Sequence, residues 1–437
     1  MTSTRLTDPA AARRPVHRTA LRLASLALLG GLALTGCAAG TSAGTAEDAT
    51  TSTTTISDAA AETATSASST TAGTISATAA AAEAFLATLS DEQREAVLYD
   101  YDDETKTTSW SNFPVTFVER AGLNLTDLTE EQQTAAMAVL EALLGDEGYA
   151  TVTGIIGGDE FLAENSSSTE DSLGQYYLAF FGDPSDTDAW EVQFGGHHLG
   201  INATLDGTAG DITFAPTHLG TQPAVYTDEN GDEVQPLAGM YTTAFAFYDS
   251  LSDEQEEQLY QGEEVSNLVC APGDTCDYPT GTGISGADLT DEQKDLLLDV
   301  IANWVGLSDE ETTATALAEI EATLDETYVS WSGATVYDMT QGDGISFQIS
   351  GPDVYIEFSN QQGSAGADVD GYTTSGWGHV HTIYRDPSDD YAGSVTQQAA
   401  SGMGGGGAAP GGDGGMPAGG PGEGADAGTD TDAGTGA

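Results

Sequence analysis

Four histidines stand in two short segments of this 437-residue chain. His197 and His198 are adjacent in the stretch FGGHHLGIN, and His379 and His381 are two residues apart in GHVHTIYRD. The whole chain contains six histidines, so their concentration in two segments needs an explanation. Imidazole nitrogens suit zinc and copper, whereas calcium and magnesium prefer oxygen ligands. The two segments therefore predict one shared site, with zinc or copper as the candidate metal.

The alternation of side chains along a β-strand indicates which of these histidines can meet. His379 and His381 are two residues apart, so they point to one face of a strand. His197 and His198 should point to opposite faces, unless the preceding glycine pair forms a bulge. At least one of them is expected to meet the other pair across a sheet. Asn202 would share a face with His198 and is a candidate substrate-binding residue.

Further candidate residues lie near these segments. Arg385 continues the strand face of His381 in a chain with 10 Lys and Arg residues against 70 Asp and Glu. It either pairs with the acids at 386, 389 and 390, which is the favoured interpretation, or binds a substrate anion. Glu357 and Asp390 are candidate catalytic residues that would move protons to or from a metal-bound water. His218 in APTHLG stands apart and is predicted to be structural.

The formal net charge of −60 restricts the classes of partner. Such a surface repels phosphate backbones and anionic membranes, so nucleic acid binding is not expected. It suits a cation or a small-molecule ligand. The alternative is an acidic surface that has no specific partner, and the oligomeric state is left open.

Residues 1–36 are predicted to be a signal peptide of the lipoprotein type. Basic residues precede an apolar run that is short for a membrane span, and small residues follow it. The run ends in LTGC, which resembles the lipobox of bacterial lipoproteins, in which the cysteine, here Cys37, carries the lipid. The mature protein is therefore expected on the outer face of a bacterial membrane, with the lipid anchor as its membrane contact. The alternative is a secreted protein without an anchor.

The two remaining cysteines, Cys270 and Cys276, flank a Pro-Gly turn in CAPGDTC. Outside the cytoplasm, such a pair predicts a disulfide that closes a small loop. A pair of metal-bound thiolates is the alternative.

Composition divides the chain into two tails and a middle. Residues 37–78 are mostly Ala, Ser, Thr and Gly, and residues 396–437 are rich in Gly. Both tails are predicted to be disordered, because they cannot bury enough apolar surface to offset the entropy lost on ordering. Residues 79–395 are predicted to form a single domain.

The middle contains recurrent helix starts and alternating strands. LSDEQ at 89 and 251, LTEEQ at 128, LTDEQ at 289 and LSDEE at 307 predict capping boxes. Their irregular spacing favours shared helix-start chemistry over a repeat array. Alternating runs that begin at 190, 199, 344, 353 and 378 predict strands. The predicted fold class is α+β, with helices packed on a largely antiparallel sheet.

Several of these stretches together resemble a bacterial family known as domain of unknown function 3500. They are YYLAFFGDPS, FGGHHLGIN, APTHLGTQPA, VYIEFS and HVHTIYRDPSDDY, with YDYDDETKTTSWSNFP and ERAGLNLTDLTEEQQ upstream. The likeness covers roughly residues 80–395, and it implies that both histidine segments belong to the signature of one domain. His218 and Ala392 stand where the family has an apolar residue and a glycine. The resemblance implies no reaction.

Three functions are compatible with these residues. In the first, His379, His381 and one or both of the adjacent pair bind zinc or copper, in a metal-binding protein or in an enzyme that activates water. In the second, the histidines and Arg385 form a metal-free pocket for an anionic small molecule or peptide. In the third, the chain is a surface interaction protein whose histidines only stabilise the core.

Overall fold

The computed structural model describes residues 70–168 and 173–398. The predicted signal peptide, Cys37, most of the predicted tether and the Gly-rich tail from residue 399 onwards lie outside the described residues. Among the helices that are described, none has the length and apolar character needed to cross a membrane.

Nine α-helices occur in the described residues, and four of them begin with a complete capping box. They are α1 (Thr71–Ala87), α2 (Asp91–Val97), α3 (Thr105–Thr108), α4 (Glu130–Leu143), α5 (Asp146–Asn165), α6 (Ala238–Asp249), α7 (Asp253–Leu259), α8 (Asp291–Val305) and α9 (Glu310–Ala322). The boxes at Ser90, Thr129, Ser252 and Thr290 are those predicted. At the fifth phrase the N-cap of α9 is Asp309, whose carboxylate accepts hydrogen bonds from two backbone N–H groups of the first turn.

The domain extends beyond both predicted boundaries. α1 begins at Thr71, inside the segment assigned to the tether. The hydroxyl groups of Thr71 and Thr74 hydrogen-bond with side chains at the start of α9, and Ile75 is buried in the core. At the other end, Gln397 donates to the carbonyl of Thr107. Tertiary contacts thus order residues whose small, polar composition predicted disorder.

Thirteen of the described strands form one sheet, and two short strands form a hairpin beside it. The strands are β1 (Leu98–Tyr99), β2 (Leu123–Asn124), β3 (Tyr177–Phe181), β4 (Ala189–Gly195), β5 (Leu199–Asp206), β6 (Asp211–Thr213), β7 (Thr217–Thr221), β8 (Tyr226–Thr227), β9 (Glu233–Val234), β10 (Tyr260–Gly262), β11 (Ile284–Ser285), β12 (Tyr328–Gly333), β13 (Ile345–Ser350), β14 (Tyr355–Asn360) and β15 (Val380–Arg385). All five predicted strands are present, as β4, β5, β13, β14 and β15. The pairs β1·β3 and β10·β12 are parallel, and the other pairs are antiparallel. The predicted fold class is confirmed.

The sheet order reads the same way from both edges. The order is β1-β3-β4-β5-β7-β15-β14-β13-β12-β10. The N-terminal and C-terminal halves of the domain therefore contribute five strands each, and from either edge towards the centre these strands follow chain order. In each half the first helix-start phrase, at 89 or 251, precedes the edge strand β1 or β10, and the second, at 128 or 289, lies between that edge strand and the other strands of its set. These phrases mark equivalent helices in two matching halves, which corrects the expectation that no repeat is present.

Different parts of the chain pack on the two faces of β15. Thr382 faces the helices, where its hydroxyl accepts the indole N–H of Trp304 from α8 at 2.9 Å. His381 faces the opposite side, because adjacent residues of a strand alternate. There, the irregular segment 100–122 lies over the sheet, and its Asn112 side chain contacts His381. A second irregular segment, residues 263–283, contains the Cys270–Cys276 disulfide, with Cα atoms 5.2 Å apart.

Candidate metal site

His197 and His198 lie at the tip of a β-hairpin. β4 ends at Gly195 and β5 begins at Leu199, and the N–H of Gly196 donates to the Leu199 carbonyl at 2.8 Å. The two imidazole rings stack, with centroids 4.2 Å apart and planes 15° apart. The expectation that they point to opposite faces of a strand is wrong, because a turn holds them.

His379 and His381 meet this hairpin tip. Their rings are 4.8 Å apart, and the two Nε2 atoms are 3.3 Å apart. The ring of His198 lies 5.6 Å from that of His379 and 5.4 Å from that of His381. His197, His198 and His381 offer ligand atoms that all lie within 4.8 Å of one another. The two sequence segments therefore converge, and these four residues are named the histidine cluster.

His218 stands beside the cluster rather than apart from it. Its ring is 5.4 Å from that of His381, since β7 pairs directly with β15. Its Nδ1 donates to the Thr382 carbonyl at 2.7 Å, and burial lowers its pKa to about 4. This hydrogen bond is consistent with the structural role predicted from the sequence.

Asp159 of α5 orients His198. The Nδ1–H of His198 donates to one carboxylate oxygen at 2.5 Å, and the Tyr176 hydroxyl donates to the other at 2.7 Å. This leaves Nε2 of His198 as the ligand atom, and it is buried without a hydrogen-bond partner among the described residues. A carboxylate on the far nitrogen is a recurrent support for metal-binding histidines, because it fixes the tautomer and the ring orientation.

The other pair is fixed by a chain of hydrogen bonds. Nδ1 of His379 donates to the Gly363 carbonyl at 3.2 Å, so its Nε2 accepts from Nε2–H of His381. The Asn112 amide donates to Nδ1 of His381 at 3.0 Å. These proton positions follow from the network. If the amide turned over, its oxygen would accept from Nδ1–H, and Nε2 of His381 would become a ligand atom.

Burial disfavours the charged forms of His197, His379 and His381. The exposed fractions of His197, His379 and His381 are 7%, 6% and 6%, and that of His198 is 0%. Burial lowers the pKa of His379 to about 3, and the neighbouring charged form of His198 lowers it further. Burial is also the main reason that the pKa values of His197 and His381 are held well below the usual histidine range, and the next cause is the charged form of His198 for the first and of His379 for the second. Neutral imidazoles carry the lone pairs that a metal ion needs.

Arg120 holds the hairpin tip in place. Its Nε and Nη2 atoms donate to the Gly196 carbonyl at 3.2 and 2.7 Å. Other donors of the same guanidinium reach the carbonyls of Ser111, Phe113 and Val118 in the covering segment. Burial lowers the pKa of Arg120 to about 10. One side chain thus ties the turn that carries His197 and His198 to the loop above the sheet.

Comparison with known families places this site in context. A sequence profile of the family described as "Protein of unknown function (DUF3500)" matches residues 71–393. The chain belongs to the DUF3500 family. Neither the curated proteins nor the solved structures compared with it give a match. The resemblance seen in the sequence is confirmed, and the histidine cluster with its supporting residues lies within the matched part of this DUF3500 chain.

The predicted role of Arg385 in pairing with nearby acids agrees with the DUF3500 structure. Its Nε donates to the Asp390 carboxylate at 2.6 Å, and its Nη1 donates to the Asp274 carbonyl at 3.2 Å. Asp390 also accepts from the Tyr278 hydroxyl at 3.0 Å. The guanidinium and this carboxylate therefore pair with each other, which favours a structural role over proton transfer or substrate binding, and Nη2 of Arg385 has no hydrogen-bond partner among the described residues.

Glu357 and Asn202 are also engaged in internal contacts. The Glu357 carboxylate accepts from the backbone N–H groups of Val269 and Cys270, at 2.8–3.0 Å, and so anchors the disulfide segment. Asn202 accepts from Gln193 at 2.7 Å and donates to the carbonyl of Pro216 at 3.0 Å. These contacts favour structural roles over the predicted catalytic and substrate-binding ones.

Asp159 is the main site residue that sequence reasoning missed. It lies three and four residues from Leu162 and Ile155, which are buried on the same face of α5. A carboxylate at that helical spacing indicates a buried acid with a partner. Asn112 and Arg120 lie in an irregular segment whose sequence has no comparable periodicity.

Proposed function

We propose that this DUF3500 protein binds one zinc or copper ion in the histidine cluster. The observation that carries the proposal is the buried convergence of His197, His198 and His381, whose ligand atoms lie within 4.8 Å of one another. Two nitrogen ligands of a tetrahedral zinc ion with bonds of about 2.0–2.1 Å are about 3.3 Å apart. The Nε2 atoms of His379 and His381 already have that separation, 3.3 Å, so His379 is proposed as the fourth ligand.

Charge and donor type support a cation of this class. Burial favours the neutral forms of His197, His379 and His381, the Asp159 carboxylate lies behind His198, and the whole chain has a formal net charge of −60. Imidazole donors match zinc and copper better than calcium or magnesium. A metal-free pocket for an anion has less support, because the predicted anion-binding residue, Arg385, is paired with Asp390.

We propose metal binding rather than catalysis. A catalytic zinc site keeps an open position for water and needs a group that moves protons. Four histidine ligands would leave no such position, and Glu357 and Asp390 are held in other contacts. Storage, transfer or structural use of the ion fits the cluster better than hydrolysis.

We also propose that the protein is lipid-anchored on the outer face of a bacterial membrane. Support comes from the sequence of the first 37 residues, which ends in LTGC at Cys37. An outward-facing location would expose the site to extracellular metal.

Metal titration of purified variants tests the binding proposal. The wild-type protein should take up one zinc or copper ion per chain, measured by elemental analysis after dialysis. His198→Asn and His381→Asn should lose this stoichiometric binding. In His198→Asn, the asparagine amide can still donate a hydrogen bond to the Asp159 carboxylate. His218→Gln should retain it, since Gln can still donate to the Thr382 carbonyl.

The circular dichroism spectrum of each variant checks that it is folded. Failure of the folded wild-type protein to retain either metal would refute the proposal. Equal loss in His218→Gln and His381→Asn would also contradict it, because it would show that the cluster responds to packing rather than to ligand identity.

A further inference from the structure

Ten elements of the two halves correspond in chain order, whereas α3 and β6 of the first half have no counterpart among the described elements of the second. Each half has two helices, a short parallel strand, an irregular segment, a short antiparallel strand, two more helices and a run of sheet strands. The matched elements are α1, α2, β1, β2, α4, α5, β3, β4, β5 and β7 in the first half and α6, α7, β10, β11, α8, α9, β12, β13, β14 and β15 in the second. A simple helix-start preference does not produce a match of this length.

The strand registers match as well. Near each edge of the sheet, one strand pairs with a short parallel strand and a short antiparallel strand at equivalent residues. This strand is β3 in the first half and β12 in the second. The pairs are Leu98 with Phe180 and Tyr260 with Trp331 at the parallel strands, and Leu123 with Leu178 and Ile284 with Val329 at the antiparallel strands. In both cases the β12 residue follows its β3 counterpart by the same number of positions, so the two edges share a register at these pairs, and β10 then has a bulge before its next pair, Gly262 with Ser332.

Side-chain hydrogen bonds repeat in the two halves. Each half contains two capping boxes, and the side-chain amide of the glutamine in the second box donates two hydrogen bonds. One goes to the backbone carbonyl two residues before the N-cap of the first box, and the other goes to the side-chain oxygen of the glutamine in the first box. The sets are Gln132 with Thr88 and Gln93, at 3.0 and 3.1 Å, and Gln293 with Ser250 and Gln255, at 2.9 and 3.0 Å. These contacts fix the angle between the helices, so the halves share detailed packing as well as topology.

The halves meet at the antiparallel pair β7·β15. These are the innermost strands of the two sets, and they pair at Thr217 with Tyr384, at Gly220 with His381 and at Thr221 with Val380. The palindromic strand order therefore has its centre between β7 and β15. Counted through the registers with β5 and β14, Thr217 and Tyr384 are equivalent residues that pair with each other, so the two halves are related by an approximate two-fold axis at this pair.

The histidines are absent from the equivalent positions of the other half. In the β13–β14 hairpin, Gly351 N–H donates to the Val354 carbonyl at 2.8 Å, as in the β4–β5 turn, and the tip residues are Pro352 and Asp353. Across the inner strands, the residue equivalent to His218 is Arg385, as the register with β5 and β14 shows. The second half therefore forms the equivalent turn without imidazoles, and the histidine cluster lies at one end of the junction.

We infer that the domain consists of two copies of one unit joined in tandem, and that the histidine cluster is a metal clamp across their interface. His197 and His198 come from the first copy, and His379 and His381 come from the second. A ligand that binds only the joined form stabilises it by RT ln(1 + c/Kd), where c is the free ligand concentration. This coupling rests on the proposed metal site, whereas the tandem arrangement does not.

Cleavage of the folded chain between the copies tests the inference. Residues 228–232 form an exposed turn between β8 and β9, where a protease recognition sequence can replace the native one. After cleavage, the two fragments should co-elute without denaturant, because the β7·β15 junction still joins them. At a free zinc concentration about 100-fold above the metal Kd, the dissociation constant of the fragments should fall about 100-fold.

A matched cut provides the control. Cleavage at the exposed Asp102, between β1 and α3, leaves all four cluster histidines on one fragment together with Asn112, Arg120 and Asp159. Zinc should therefore change the separation of those fragments far less than after the cut at 228–232. His381→Asn, cut at 228–232, should co-elute as the wild-type fragments do but should lose the zinc effect.

Each result has a distinct meaning. Spontaneous separation of the fragments cut at 228–232 would overturn the interface. Co-elution with no zinc effect, in a protein that binds zinc when intact, would overturn the clamp. If the uncut protein binds neither zinc nor copper but the two fragments cut at 228–232 still co-elute, the proposed function and the clamp would be refuted. The tandem units would be supported.

Discussion

The Asp159→Asn substitution should weaken metal binding while leaving the fold in place. Asp159 is buried and accepts from His198 Nδ1 at 2.5 Å and from the Tyr176 hydroxyl at 2.7 Å. Asparagine has the same shape, and its oxygen can still face His198. What it removes is the negative charge that supports the imidazole as a ligand.

The size of the effect follows from that lost charge. Removal of an outer partner of a metal-binding histidine typically costs about 10- to 100-fold in affinity. This corresponds to about 1.4–2.7 kcal/mol of binding free energy. We expect the Kd for zinc or copper to rise by that factor, measured by competition with a chelator of known affinity.

Asp309→Asn is the matched control. Asp309 is also buried, and it caps α9 and accepts from the Thr74 hydroxyl at 2.8 Å. This variant should lower the Tm without changing the metal Kd. Unchanged affinity in a folded Asp159→Asn variant, or an equal loss in Asp309→Asn, would refute the role assigned to Asp159.

Two further predictions concern other parts of the chain. Cys37→Ser should move the protein from the membrane fraction to the soluble fraction and abolish incorporation of a labelled fatty acid; unchanged fractionation would contradict the anchor. Burial raises the pKa of the Asp386 carboxyl from 3.8 to about 6. Between these two pH values the folded state retains a proton that the unfolded state has released. The free energy of unfolding should therefore fall as the pH rises from about 4 to 6, by on the order of 1 kcal/mol after allowance for solvent screening of this partly exposed group. Asp386→Asn should lack this fall in urea unfolding, and an identical pH profile in both proteins would reject the assignment.

Local patterns in the sequence determined much of the secondary structure. The capping boxes at Ser90, Thr129, Ser252 and Thr290 depend on residues three positions apart, so they can be read without knowledge of the fold. The strands β4, β5, β13, β14 and β15 were equally visible from alternation. The α+β class and the family followed from these signals.

The sequence also identified the histidines of the site but not their arrangement. The two-residue spacing of His379 and His381 fixes a shared face, because strand geometry is periodic. The stacking of His197 on His198 depends on a turn between β4 and β5, and a turn has no such period.

Tertiary structure decided the remaining features. The approach of Asp159 to His198 joins residues of α5 and a hairpin tip, and His218 reaches His381 because β7 pairs with β15. α1 was missed because the hydroxyl groups that fix Thr71 and Thr74 bind side chains at the start of α9, more than two hundred residues away in the chain. The two-fold match was hidden for a related reason: each half has the same backbone pairing and caps, while most side chains at equivalent positions differ, as at His197 and Pro352. Contacts between distant segments depend on how elements pack together, and no local pattern encodes that packing.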